Sequence, residues 1–270
     1  MSQASRMAAV LAAFVAAGPA LGARGKTGNR EPEAQPVWEQ PGGRERARMD
    51  LATALLDAGS VDACLELIAQ MRAENVRGVN LERLHAKALR AAGLDDDAHD
   101  ILTQIVRRWP RDAAAHNELG ILAMDRRQID EAVDAFSTAS RLNSSSSDFV
   151  NNLGFALLTQ GNADAAVEAL RKALRLDSSR DQTRNNLGFA LVAAGRSDEA
   201  FRVFRAAANP ADAHYHVGVG LELKADPKGA TARFEKALSV DPQHPAARAA
   251  LARLADTSDS LVPDPKPTEP

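Results

Sequence analysis

Leu119-Gly120, Leu153-Gly154 and Leu187-Gly188 stand 34 residues apart, and the rest of the pattern returns with them. Ala132, Phe136 and Ala139 follow the first pair; Ala166, Leu170 and Ala173 follow the second; Ala200, Phe204 and Ala207 follow the third. Self-similarity at this period is the mark of stacked supersecondary units, each unable to bury its apolar face alone. It argues against a single globular enzyme core, because each unit contacts its neighbours in sequence and little else.

The register extends in both directions. A fourth strong copy begins at Ala211, with Val217, Gly218, Ala230, Phe234, Ala237 and Pro242. Two weaker copies begin at Glu45 (Leu51, Ala52, Cys64, Ile68, Met71) and Val79 (His85, Ala86, Ala98, Leu102, Ile105, Pro110). This Leu-Gly, Ala, aromatic-or-Leu, Ala, Pro signature resembles that of the tetratricopeptide repeat (TPR). The resemblance implies an all-α superhelical solenoid of helix-turn-helix repeats. Six repeats then span 45 to 244, and a C-terminal capping helix from Pro245 to Ala255 completes the stack, so the repeat domain is 45–255.

Helical geometry explains the spacing. At about 100° per residue, positions 4, 7, 8 and 11 of each first helix share one face. The residue at position 8 must be small for the second helix to approach closely, and Gly120, Gly154, Gly188 and Gly218 hold that place. Gly59, Gly93, Gly161 and Gly195 stand where the first helix ends, a site that favours a left-handed residue, whereas Arg127 and Ala225 replace glycine in the other two copies. The fifth repeat is four residues short and stops at Asn209-Pro210, since proline is not accommodated in a helix interior. Its second helix is expected to be clipped and the stack locally bent.

Outside the repeats the chain changes character. Arg6 precedes an apolar run, Met7 to Ala17, and small residues offer cleavage after Ala20 or Ala23, so residues 1–23 read as a secretory signal peptide. The run is too short for an integral membrane span, which needs roughly 20 residues. A periplasmic or secreted location follows; a disordered leader on a cytoplasmic protein is the alternative. Residues 24–44 carry Pro32, Pro36, Pro41, Gly42 and Gly43 and read as a flexible linker. The proline-rich tail 256–270 has little apolar surface to order it. A net charge of −3 argues against a nucleic-acid partner.

No residue pattern suggests catalysis, a metal or a cofactor. The single cysteine, Cys64, stands where Ala98, Ala132, Ala166, Ala200 and Ala230 stand in other repeats, so it is expected in the core. His214 and His216 are two residues apart and point about 200° apart on a helix, which prevents a shared ligand. His85 takes the place of the usual Leu and is expected to be a tolerated core substitution. No nucleophile elbow, zinc-binding HExxH pair or phosphate loop is present.

Positions 2, 5, 6, 9, 12 and 13 of each first helix point away from the packing face and are expected to line a concave groove. The second repeat contributes Arg83, Lys87 and Arg90 there. The next three contribute Asn117, Asn151 with Asn152, and Asn185 with Asn186, beside Ile121, Met124, Phe155, Leu158, Phe189 and Val192. The sixth adds Tyr215, Val219 and Leu223. Asparagine donates and accepts, so such a row can bond an extended peptide backbone whatever its side chains. The row is similar to the asparagine ladder in the TPR domain of O-linked N-acetylglucosamine transferase, with Asn152 and Asn186 at the matching positions and Glu118 and His216 departing from it. Arg83, Lys87 and Arg90 are loosely similar to the carboxylate clamp of chaperone-binding TPR domains, which implies an acidic ligand.

The segments Asn151–Leu174 and Asn185–Ala207, with the short repeat after them, resemble the TPR component of the tight-adherence pilus assembly system. That family implies a role in envelope assembly, although the lipid-bearing cysteine usual there is missing near the N-terminus. The sequence therefore reads as a non-enzymatic scaffold for a protein or peptide partner. The alternatives are a cytosolic co-chaperone-like adaptor and a regulatory subunit of an envelope glycosyltransferase or peptidoglycan enzyme.

Overall fold

A computed structural model describes residues 42–259 of the chain; the expected signal peptide, most of the linker and residues 260–270 lie outside these. Among the described residues every regular element is an α-helix. They divide into two compact units, 42–144 and 145–259. The N-terminal unit contains α1 (Gly43–Asp57), α2 (Val61–Ala73), α3 (Val79–Ala91), α4 (Asp95–Arg108), α5 (Ala113–Asp125) and α6 (Ile129–Leu142). The C-terminal unit contains α7 (Ser147–Gln160), α8 (Ala163–Leu176), α9 (Asp181–Ala193), α10 (Ser197–Arg205), α11 (Pro210–Leu223), α12 (Pro227–Val240) and α13 (Pro245–Asp259).

Each odd-numbered helix through α11 packs against the even-numbered helix that follows it. The small residue at position 8 makes this possible. A methyl group added to Gly120 would lie 2.6 Å from the Phe136 ring, and one added to Gly154 would lie 2.6 Å from Leu170. Helix 1 of the pair therefore touches helix 2 through its backbone, and the large side chain of helix 2 fills the space. Ala132, Ala139, Ala166, Ala173, Ala200, Ala230 and Ala237 are fully buried around these contacts, as is Cys64 in the equivalent place.

The turn inside each repeat has one backbone conformation whatever its residue. Gly59, Gly93, Gly161 and Gly195 have φ of 75°, 76°, 94° and 78°, while Arg127 and Ala225 are held at 61°. The two non-glycine residues thus adopt a left-handed geometry that costs a side chain free energy.

Helix α10 has 9 residues where α8 has 14, which agrees with the clipped helix expected in the short repeat. Asn209 does more than end it. The Asn209 side chain accepts from the Asp212 amide at 2.9 Å and Pro210 occupies the first turn of α11, so the same two residues start the next repeat. At the ends, α1 begins at Gly43, within the segment expected to be linker, and α13 runs to Asp259, past the expected end at Ala255.

Candidate binding face

Within each unit the first helices of successive repeats are neighbours. In the C-terminal unit α7 contacts α9 and α9 contacts α11; in the N-terminal unit α1 contacts α3 and α3 contacts α5. In each unit they form a layer that carries residues expected in the groove, and the two units treat those residues differently.

In the N-terminal unit, the basic trio does not stand free. Arg83 lies 3.5 Å from Asp112, Lys87 3.0 Å from Glu118 and Arg90 2.9 Å from Asp125. Each cation of α3 thus meets an acid on α5 or, for Asp112, at its N-cap, where Asp112 also accepts from the Ala115 amide. The expected clamp for acidic ligands is therefore corrected to an inter-repeat tie: an incoming carboxylate would have to displace a carboxylate already in place. Glu118 is 6% exposed and depends on Lys87 for its counter-charge. Asn117 is buried, while Ile121 and Met124 are half-buried.

In the C-terminal unit the asparagines separate into two kinds. Asn151 and Asn186 are 4% and 2% exposed, and the Asn186 amide donates to the Asn151 side-chain oxygen at 3.2 Å. This pair ties α9 to α7 and does not face outward, contrary to the ladder expected from the sequence. Asn152 and Asn185 are only half-buried, and Asn185 makes no side-chain hydrogen bond among the described residues.

Leu158, Phe189 and Val192 are also corrected: they are 1%, 3% and 0% exposed and belong to the core, not to an open groove. Val219 is buried as well. The cause is close approach between first helices. A methyl group on Gly220 of α11 would lie 3.0 Å from Val192 of α9, so the bare glycine lets one helix close over the other. Phe189 meets the Phe204 ring edge-on, with centroids 5.4 Å apart. Phe155, Tyr215 and Leu223 remain half-exposed.

Tyr215 belongs to a cluster that sequence reasoning did not find. Its ring lies 5.7 Å from Phe234, 5.6 Å from His216 and 5.3 Å from His244. His244, 6% exposed, accepts the Ala247 amide on Nδ1 at 3.1 Å and donates from Nε2 to Asp212 at 3.0 Å. It therefore caps α13 and binds it to α11 as the neutral Nε2–H tautomer. The only sequence signal is its place just before Pro245 at a helix start. Burial holds the His216 imidazole below its ordinary pKa, with Asp212 opposing. His214 and His216 diverge as expected, the first stacking on Phe201 at 4.3 Å and the second lying 5.3 Å from Phe204. His85 is half-buried with Nδ1 3.0 Å from the Arg72 guanidinium, and burial followed by Arg72 lowers its pKa.

The paired helices, the glycine beneath each large side chain and the layer of first helices agree with a match between the chain and the tetratricopeptide repeat family over residues 83–147, 117–181 and 151–215. The chain is a tetratricopeptide repeat protein. Two solved structures share its fold. YrrB, described as a TPR protein with an unusual peptide-binding site, is 24% identical with a TM-score of 0.54, covering 68% of this chain and 96% of its own. A chain of the APC/C hetero-tetramer Cut9–Hcn1 is 17% identical with a TM-score of 0.55, covering 77% of this chain and 42% of its own. A structure of MamA is 23% identical with a TM-score of 0.49, over 68% of this chain and 96% of its own. No curated protein matches the chain. TPR proteins are interaction scaffolds for protein or peptide partners, and the fold is generally non-catalytic. No helix among the described residues is long and apolar enough to cross a membrane.

Proposed function

We propose that this TPR protein holds an extended segment of a partner protein across the first-helix layer of its C-terminal unit. The observation that carries the reading is the half-buried Asn185 amide, unbonded within the described residues, on the same layer as half-exposed Asn152, Phe155 and Tyr215. An amide in this position offers a donor and an acceptor to a peptide backbone, and the two aromatic rings offer apolar contact at low conformational cost. The site is smaller than the full asparagine row, because Asn151 and Asn186 bond each other. Mechanistically it positions a partner and makes or breaks no covalent bond.

A photo-crosslinking residue placed at Phe155 or Tyr215, with a control at exposed Glu168 on α8, tests the reading. Partner adducts should form from the first two positions and be absent from the third. Adducts from Glu168 alone, or equally from all three, would move the partner to another face.

The envelope role is a separate part of the proposal. It is supported by the apolar run Met7–Ala17 after Arg6, and by the resemblance of the repeats to the pilus-assembly component. Expression in a Gram-negative host followed by N-terminal sequencing should find a periplasmic chain shortened by about 20 residues. Intact protein retained in the cytoplasm would favour the adaptor reading instead.

A further inference from the structure

The clipped fifth repeat leaves something behind. Where α10 stops at Arg205, an open pocket of about 340 Å³ lies between α8, α9 and α10, with Ala206 at its edge. Leu174, Leu191 and Val203 give it an apolar lining, and Arg171, Arg184 and Arg202 supply cations. The volume is within the range of small-ligand and side-chain pockets, about 300–1,000 Å³.

The charges are arranged asymmetrically. Glu199 is the one acid of the lining, and both its oxygens are engaged: Arg171 bonds one at 2.8 Å, and Arg196 bonds both at 2.7 and 2.8 Å. The Arg196 hydrogen bond, with the charges of Arg196, Arg171 and Arg202, holds the Glu199 carboxyl below its ordinary range. Arg184 is fixed by Asp181 and by the Ser178 carbonyl at 2.7 Å. Arg202 is exposed and makes no hydrogen bond or close ion pair among the described residues, although its charge acts on Glu199 and Asp198 nearby. The pocket thus has an apolar lining, a braced guanidinium wall and one guanidinium without a hydrogen-bond partner among the described residues, in a chain whose overall charge is −3.

We propose that this pocket is a second peptide site, which takes an aliphatic side chain flanked by a carboxylate from an acidic partner segment. The aliphatic group would be buried against half-buried Leu174 and Val203, with fully buried Leu191 beneath them, and the carboxylate would meet Arg202, the one cation of the lining without a hydrogen-bonded acid or carbonyl. The site includes none of Asn152, Phe155, Asn185 and Tyr215, and most of its lining comes from the second helices α8 and α10, so it does not rest on the groove reading.

Fluorescence anisotropy with two labelled hexapeptides, Gly-Leu-Asp-Leu-Glu-Gly and Gly-Leu-Lys-Leu-Lys-Gly, tests this on the full chain. The acidic peptide should bind and the basic one should not, with binding weakening as salt rises. Arg202→Glu should weaken the acidic peptide by about tenfold or more, as a reversed charge at an interface does. Ala206→Trp, which fills the pocket from an exposed position, should abolish binding, and circular dichroism should show both variants folded. Asn185→Ala should leave this peptide's affinity unchanged, which separates failure here from failure of the groove. Equal binding of the two peptides, or affinity unchanged in both pocket variants, overturns the proposal. A chain ending at Asp259 that binds while the full chain does not would assign the pocket to residues 260–270, and would also overturn a partner segment as its occupant.

Discussion

Replacing Gly188 by alanine tests the packing rule of this fold through a change of sign. A methyl group there would come within 3 Å of three atoms of the Phe204 ring. The ring is 2% exposed and is held by Phe189 on one side and His216 on another, so it has little room to move away. Overpacking of this kind costs about 1–3 kcal/mol. Against it stands the gain of about 0.5–1 kcal/mol when alanine replaces glycine inside a helix. The net expectation in the native background is a loss of up to about 2.5 kcal/mol, which at this size lowers the melting temperature by a few degrees. In a Phe204→Ala background, itself costing about 3–5 kcal/mol, the obstacle is gone and only the helix gain remains. Gly188→Ala should then stabilise by about 0.5–1 kcal/mol. Urea unfolding followed by far-ultraviolet circular dichroism on the four proteins measures the coupling, expected at about 1–3 kcal/mol for residues in contact. If Gly188→Ala destabilises equally in both backgrounds, the glycine is not there to admit the ring and the account of helix pairing is wrong.

Phe189→Ala should cost about 3–5 kcal/mol, like other buried aromatics, while half-exposed Phe155→Ala should cost clearly less, as thermal melts would show. Asn151→Ala strands the buried Asn186 amide and should cost about 1–3 kcal/mol in urea unfolding, whereas Asn185→Ala should leave stability within about 0.5 kcal/mol and reduce partner affinity. Ala225→Gly relieves a φ of 61° and should raise stability by about 0.5–1 kcal/mol; a loss would show that this turn carries no strain. Burial lowers the pKa of His85, His214 and His216, so the folded state binds fewer protons than the unfolded one. Their stability contribution is complete above the unfolded value of about 6.5 and declines as pH falls below it. His216→Phe should flatten that decline, and an unchanged slope in a pH series of melts would exclude His216 as a contributor.

The repeat, its length and its core were legible in the sequence because they follow from local helical arithmetic. A 3.6-residue period places Ala132, Phe136 and Ala139 on one face whatever surrounds them, and the same holds for Cys64, which is fully buried in the alanine slot as its position implies. The shortened α10 was likewise visible, since Asn209-Pro210 ends one helix and begins another by backbone chemistry alone.

The tertiary structure alone decided which residues of the opposite face stay open. Angular position places Asn151, Asn152, Asn185 and Asn186 on that face but does not say how near the next first helix lies. Gly220 lets α11 close over Val192, and the Asn186 amide bonds Asn151, so residues that share a helical face differ in exposure. Arg83, Lys87 and Arg90 read as a free basic stripe because their partners Asp112, Glu118 and Asp125 come about one repeat later in the chain. Side-chain periodicity is a property of one helix; exposure and charge pairing are properties of the distance between two.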